Sequence, residues 1–305
     1  MPVDHYENFP VASWLLPKHL RQPIEIIYQF ARSADDFADE GDLPVAARLA
    51  RLGGYQKELD CIETRAESTL PLFSDLAGVI RKYDLPLQLF HDLLDAFTQD
   101  VTKTRYADFA ELLEYCRRSA NPIGKLLLHL NFIVTPQNLA WSDSICTALQ
   151  LINHWQDVAI DWQKNGGGRV YLPQDELAQF GLADRDIANQ ICNDAWQNMM
   201  AFQCTRARNM MEFGRPLGRV MPGRMGVELR MMIAGGLVIL DKIEVARGDV
   251  FRHRPRLNRW DWLKIAPRAL ISTRHPTSTV KTKPQKADPV SITVFASWRG
   301  NGVAP

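Results

Sequence analysis

Apolar residues return every three or four positions along most of this chain. Ile24, Ile27, Tyr28 and Ala31 form one such series, Leu89, Leu93, Leu94 and Phe97 a second, and Leu149, Ile152, Trp155, Val158 and Ala159 a third. That spacing places each series on one face of an α-helix. Period-2 runs rich in β-branched residues are nearly absent, so the pattern predicts an all-α protein. Proline and glycine divide the helices at GDLP (41–44), YDLP (83–86), TPQN (135–138), NGGG (165–168) and RPLG (215–218). No repeat of fixed period is present. The late stretch RHPTSTVKTKPQKADP is rich in Pro, Thr and Lys and poor in large apolar residues. One helical domain over 1–272 and a disordered tail over 273–305 are the expectation.

Two stripes interrupt the apolar pattern. In ARSADDFADE (31–40), Asp35, Asp36, Asp39 and Glu40 crowd into about a turn and a half of helix. Positions three and four apart share a face, so Tyr28, Arg32, Asp35 and Asp39 align, with Asp36 at the shoulder. In LQLINHWQDVAID (149–161), Gln150, Asn153, Asp157 and Asp161 align in the same way among apolar neighbours. Like charges on one face repel, and a polar stripe on a central helix needs a partner. Arg32 offsets part of the first cluster; a divalent cation offsets far more. Either cluster alone reads equally well as a solvated acidic turn. Together they point to facing carboxylates that hold Mg²⁺, a hard ion suited to oxygen ligands, and through it a diphosphate.

Composition narrows the class further. The 305 residues are 46% hydrophobic and 23% charged with formal net charge +1, which favours a soluble globular protein and gives no field for nucleic acid. Five cysteines without a C-x-x-C pair suggest a reduced, intracellular chain. No signal peptide is visible at the start, and the apolar run MMIAGGLVIL (231–240) is about half of the ~20 residues a membrane span needs. The C-terminal third is Arg-rich. Its arginines form either a solvated basic surface or a contact for an anionic ligand or lipid. Nothing in the pattern sets an oligomeric state.

IYQFARSADDFADE and LQLINHWQDVAID…GRVYLP resemble the paired signatures of the squalene/phytoene synthase family, the head-to-head isoprenoid synthases. The resemblance runs from about Asn8 to Leu257 and includes YCRRSANPIG and the LDKIE helix. It implies an isoprenoid-synthase-type helical bundle around a deep apolar cavity, with two or three Mg²⁺ ions held through diphosphate at its mouth. Carried over by position, Asp35, Asp36, Asp39, Asn153, Asp157 and Asp161 would serve the metals. Tyr28, Arg32 and Gln150 would touch diphosphate or reacting carbons. His5, Tyr6, Asn8 and Phe9 would wrap the diphosphate, and Arg169 and Tyr171 would close the site.

Within the family, HYENFPVASWLLP and YCRRSANPIG look most like the bacterial hydroxysqualene-forming branch. Squalene and phytoene enzymes usually carry an aromatic residue or His after Tyr-Cys, then Val-Ala-Gly; here the stretch is Arg117-Arg118-Ser119-Ala120-Asn121-Pro122. Gln156 stands where an Arg is common, Gly248 where a Tyr is expected, and Ile160 where an acid is frequent. The branch implies that presqualene diphosphate ionises and that water captures the cation, giving hydroxysqualene. Asn121, with Arg117, is then a candidate for orienting that water; the alternative is that Asn121 merely ends a helical turn before Pro122. Phe9, Tyr28 and Phe132 are candidate cavity walls or plain core. No G-x-G-x-x-G follows a strand, and no nicotinamide is expected. Two other functions stay open: condensation of two prenyl diphosphates to presqualene diphosphate, squalene or a phytoene-type product, and a non-catalytic assembly factor on the same fold. Apolar substrates suggest peripheral contact with the cytoplasmic face of the inner membrane.

Overall fold

The computed structural model describes residues 16–39, 43–164, 168–252 and 254–271. His5, Tyr6, Asn8 and Phe9, and the expected tail from 273, lie outside the described residues. The described residues form helices joined by short turns, and their only β pairing is an isolated bridge between Arg105 and Val170. The helices end where proline and glycine mark the sequence. Helix α1 (Lys18–Asp39) stops before GDLP, α2 (Val45–Thr64) starts after it, and α3 (Pro71–Tyr83) stops at YDLP. There Asp84 takes a left-handed turn with φ 50° and its N–H bonds back to Ile80.

Helices α4 (Gln88–Thr102), α5 (Phe109–Ser119) and α6 (Asn121–Leu130) lead to α7 (Pro136–Gln163), the longest. Thr135 caps α7 by accepting from the Asn138 N–H, with Pro136 in the first turn. After the short helices α8 (Gln174–Gln179) and α9 (Asp184–Ala188) come α10 (Asp194–Gly214), α11 (Leu217–Val220), α12 (Gly223–Val245) and α13 (Arg259–Ile271).

The inner face of α1 is Leu20, Ile24, Ile27, Phe30, Ala34 and Ala38, all buried, at steps of three and four. It packs on α2, α3 and α4, with the Phe30 ring edge-on to Phe73 and Phe90. Pro23 lies inside α1 and has no N–H to give to the carbonyl of His19. The Tyr83 hydroxyl donates to that carbonyl instead, at 3.3 Å. Helix α7 is central: α5, α6, α10 and α12 all lie against it. The α7–α10 approach needs Gly214, because a Cβ there would sit 2.4 Å from Ile145 Cγ1 and 2.6 Å from the Trp141 carbonyl oxygen. No described helix is long and apolar enough to cross a membrane.

Candidate active site

The polar stripe of α1 faces away from its buried side. Arg32 lies between two acids, with Nη1 3.3 Å from Asp35 Oδ2 and Nη2 2.7 Å from Asp36 Oδ1. Asp39, one turn beyond Asp35, accepts from Arg169 Nη2 at 2.9 Å and from Lys164 Nζ at 3.3 Å. The same Lys164 ammonium lies 3.3 Å from Asp161 Oδ1. One cation therefore bridges the last acid of the α1 stripe and the last acid of the α7 stripe. The two carboxylate oxygens are no farther apart than twice that distance. The stripes converge.

The turn after α7 makes this possible. Gly168 has φ 70°, and a Cβ there would meet the Trp162 carbonyl oxygen at 2.4 Å, so only glycine fits. The chain folds back, the Arg169 N–H donates to the Asp161 carbonyl at 2.8 Å, and the Arg169 side chain is buried between α1 and α4. There Nη2 also donates to the Asp100 carbonyl oxygen at 2.7 Å, and Nη1 to the Tyr171 hydroxyl at 3.0 Å.

Beneath the acids lies a buried polar centre that sequence reasoning missed. Asp100 of α4 accepts from Tyr115 of α5 at 2.7 Å and from Tyr171 at 3.2 Å. Tyr171 stacks on His154 of α7, with ring centroids 3.5 Å apart. Burial pushes the Asp100 carboxyl up to about 7, against the pull of Arg169 and the Tyr115 hydrogen bond. Burial, with Arg169 and Lys164 nearby, holds His154 neutral, well below its usual value. A signal for Asp100 was present: it stands in step with Leu93 and Phe97, on the buried face of its helix.

Asp157 is placed differently from its neighbours. Arg254 grips both of its carboxylate oxygens, through Nε and, at 2.9 Å, through Nη2. Gln156, buried beside it, donates to the Pro255 carbonyl at 2.6 Å and so docks that segment on α7. Gln150 contacts His154 at 3.4 Å, and Asn153, half-buried, lies between them and Asp157 on the stripe.

A cavity of about 170 Å³ lies where α5, α6, α7, α11 and α12 meet. Ile123, Leu127, Ile145, Leu149, Leu217 and Leu229 give it apolar walls, and Gln150 belongs both to its lining and to the polar stripe. Several of the expected residues lie outside this lining. Arg117 does not line this cavity; it is 45% exposed and pairs with Glu114 and Asp92, the nearest carboxylates. Asn121 does not end a turn: it opens α6, is buried, and its Oδ1 accepts from the Thr147 hydroxyl at 3.0 Å, also outside the lining. Phe132 follows α6 at φ 55°, is 76% exposed among the described residues and lies outside this lining. Tyr28 is half-buried on the α1 stripe and not in the cavity lining.

The acids fit Mg²⁺. The donors are carboxylate and amide oxygens, without sulfur or imidazole. The face is also short of positive charge. Burial, then Asp39, pushes Asp35 up to about 6 despite Arg32; burial, aided by Asp157, pushes Asp161 up to about 6 despite Lys164. Asp39 is also raised by burial, but Arg169 and Lys164 bring it below the usual range. Among the described residues, the group of three whose ligand atoms already lie within 4.8 Å is elsewhere, at Asp60, Glu63 and His91. The last acids of the two rows face each other across the Lys164 ammonium.

A model of squalene/phytoene synthases matches residues 3–261. The chain belongs to this family. A hydroxysqualene synthase of Rhodopseudomonas palustris is 36% identical over 75% of the chain and 76% of its own length. The 15-cis-phytoene synthase of Synechococcus elongatus is 29% identical over 87% of the chain and 88% of its own length. The crystal structure of squalene synthase HpnC from Alicyclobacillus acidocaldarius superposes with a TM-score of 0.73 at 35% identity, covering 80% of this chain and 90% of that one. The protein is thus an isoprenoid-synthase enzyme of the head-to-head prenyl type, a family that uses Mg²⁺ with diphosphate substrates. Two departures from the family pattern have physical reasons. A tyrosine cannot stand at Gly248, where φ is 73° and a Cβ would lie 2.8 Å from Met200 Cβ. Gln156, where an arginine is common, bonds the Pro255 carbonyl, and the adjacent Arg254 grips Asp157.

Proposed function

We propose that this protein is a hydroxysqualene synthase, converting presqualene diphosphate and water to hydroxysqualene and pyrophosphate. The observation that carries the reading is the meeting of the two acidic stripes at Lys164, joined through Gln150 to a mainly apolar cavity. Asp35, Asp39, Asn153, Asp157 and Asp161 would hold Mg²⁺, with Asp36 kept at the shoulder by Arg32. When bound, Mg²⁺ supplies charge stabilisation for the leaving pyrophosphate. Arg32, Lys164 and Arg254 add fixed positive charge around the same oxygens, worth most as the C–O bond breaks. Asp100 and the Arg169–Tyr171 pair hold the wall beneath the acids. The apolar lining keeps bulk water from the cation.

A second reading, condensation of two prenyl diphosphates, is favoured by the phytoene synthase similarity over most of the chain. Incubation with presqualene diphosphate and, separately, farnesyl diphosphate, each with and without NADPH, tests both. The proposal predicts Mg²⁺-dependent hydroxysqualene and pyrophosphate from the first substrate, no condensation from the second, and no effect of NADPH. Presqualene diphosphate, squalene or dehydrosqualene formed from farnesyl diphosphate would overturn it. Absence of any pyrophosphate release would instead favour an assembly factor. Exchange of such apolar compounds suits contact with a membrane surface, and exposed Trp260 and Leu263 on α13, beside Arg259, are suited to that contact.

A further inference from the structure

The cavity is not wholly apolar. At the end of α5, Ser119 lines it, and the Ser119 hydroxyl oxygen is buried with no hydrogen-bond partner among the described residues. Four other helical hydroxyls bond back to the carbonyl four residues earlier, Ser33 to Gln29, Thr64 to Asp60, Thr98 to Leu94 and Thr205 to Ala201, while Ser144 and Thr147 bond across to neighbouring helices. Ser119 makes no such bond. A buried hydroxyl without a partner is rare and points to a ligand or a water. The two residues expected from sequence to orient water are engaged elsewhere, Asn121 by Thr147 and Arg117 by Glu114 and Asp92. Across the same cavity, Glu228 of α12 is the carboxylate among the described lining residues, and it is 9% exposed.

We propose that Ser119 positions the water that captures the cation and that Glu228 receives its proton. This inference rests on the hydroxysqualene reading above. The substrate C–O bond breaks and its electron pair leaves with pyrophosphate. Ser119 Oγ accepts one O–H of the water, which turns an oxygen lone pair toward the cation. The cyclopropylcarbinyl cation rearranges, and a cyclopropane C–C bond breaks as the water's pair forms the new C–O bond. The oxonium gives one proton to the Glu228 carboxylate, which returns it to solvent. One water is consumed and nothing is oxidised or reduced. The stretch Ser119-Ala120-Asn121 stands where the squalene and phytoene pattern has Val-Ala-Gly, which carries no side-chain hydroxyl.

The test uses the full chain, Mg²⁺ and presqualene diphosphate, with pyrophosphate and C30 products measured together. Ser119→Ala should keep pyrophosphate release within about twofold while the alcohol share falls about tenfold in favour of elimination hydrocarbons. Ser119→Thr, which keeps the hydroxyl, should retain the alcohol, and Glu228→Gln should shift products as Ser119→Ala does. An unchanged alcohol share in Ser119→Ala overturns the role of Ser119. So does parallel loss of pyrophosphate and alcohol that Thr does not restore, since that marks a packing role. An unshifted Glu228→Gln removes Glu228 as the acceptor. If the unaltered protein makes no hydroxysqualene, the proposed function itself fails, a result separate from any of these.

Discussion

Asp100→Asn isolates the buried centre beneath the acids. Asp100 is 6% exposed, and burial raises its carboxyl to about 7 from 3.8. The folded protein therefore holds a proton that the unfolded chain releases, and stability falls as pH rises between about 4 and 7. Over the whole window that shift corresponds to about 4 kcal/mol, an order of magnitude set by roughly 1.4 kcal/mol per unit. Asparagine keeps the shape and one acceptor, at a cost of about 1 kcal/mol for the altered hydrogen bonds to Tyr115 and Tyr171. It leaves Arg169 bonded to Asp39 and to the backbone oxygen of residue 100. Urea denaturation of both proteins at pH 5, 6, 7 and 8 is the assay. The parent should lose about 2–3 kcal/mol relative to the variant between pH 5 and pH 8, so that the variant is clearly the more stable protein at pH 8. Parallel stability curves across that range would refute a proton on Asp100.

Three further outcomes follow from the site. Lys164→Met removes the cation between Asp39 and Asp161, so Mg²⁺ alone should bind several-fold tighter in calorimetric titration; weaker or unchanged binding contradicts the bridge. Arg254→Ala should cost the metal-free protein about 1–3 kcal/mol, because Asp157 loses a half-buried bidentate partner. Saturating Mg²⁺ and pyrophosphate should shrink that cost, and a cost that persists unchanged in thermal melts would place Asp157 outside the metal site. The double variant Trp260→Ser, Leu263→Ser should reduce co-sedimentation with phosphatidylglycerol vesicles several-fold, with little binding of either protein to neutral vesicles; equal sedimentation contradicts contact through α13.

Local pattern revealed the helices and both stripes, because each is periodic within one segment. Asp35 and Asp39, or Asp157 and Asp161, are aligned by helix geometry alone. The partners of those acids were not legible. Arg254 reaches Asp157 from 97 residues away, and Arg169 reaches Asp39 from 130. Only the folded chain sets such pairs. The partners of Arg117 were half legible: Glu114 lies three residues earlier on the same helix, whereas Asp92 belongs to a neighbouring one. Asn121 was read through Pro122, yet its burial against Thr147 depends on how α6 lies on α7. Lys164 carried a local hint, three residues after Asp161, but its second partner belongs to another helix.

Crystals grown with Mn²⁺ and pyrophosphate, measured at the manganese absorption edge, address the central claim most directly. The account predicts anomalous peaks between the stripes, with oxygens of Asp35 or Asp39 on one side and of Asn153, Asp157 or Asp161 on the other, and pyrophosphate joining them. Peaks confined to one stripe, or pyrophosphate bound elsewhere with both stripes metal-free, would contradict it.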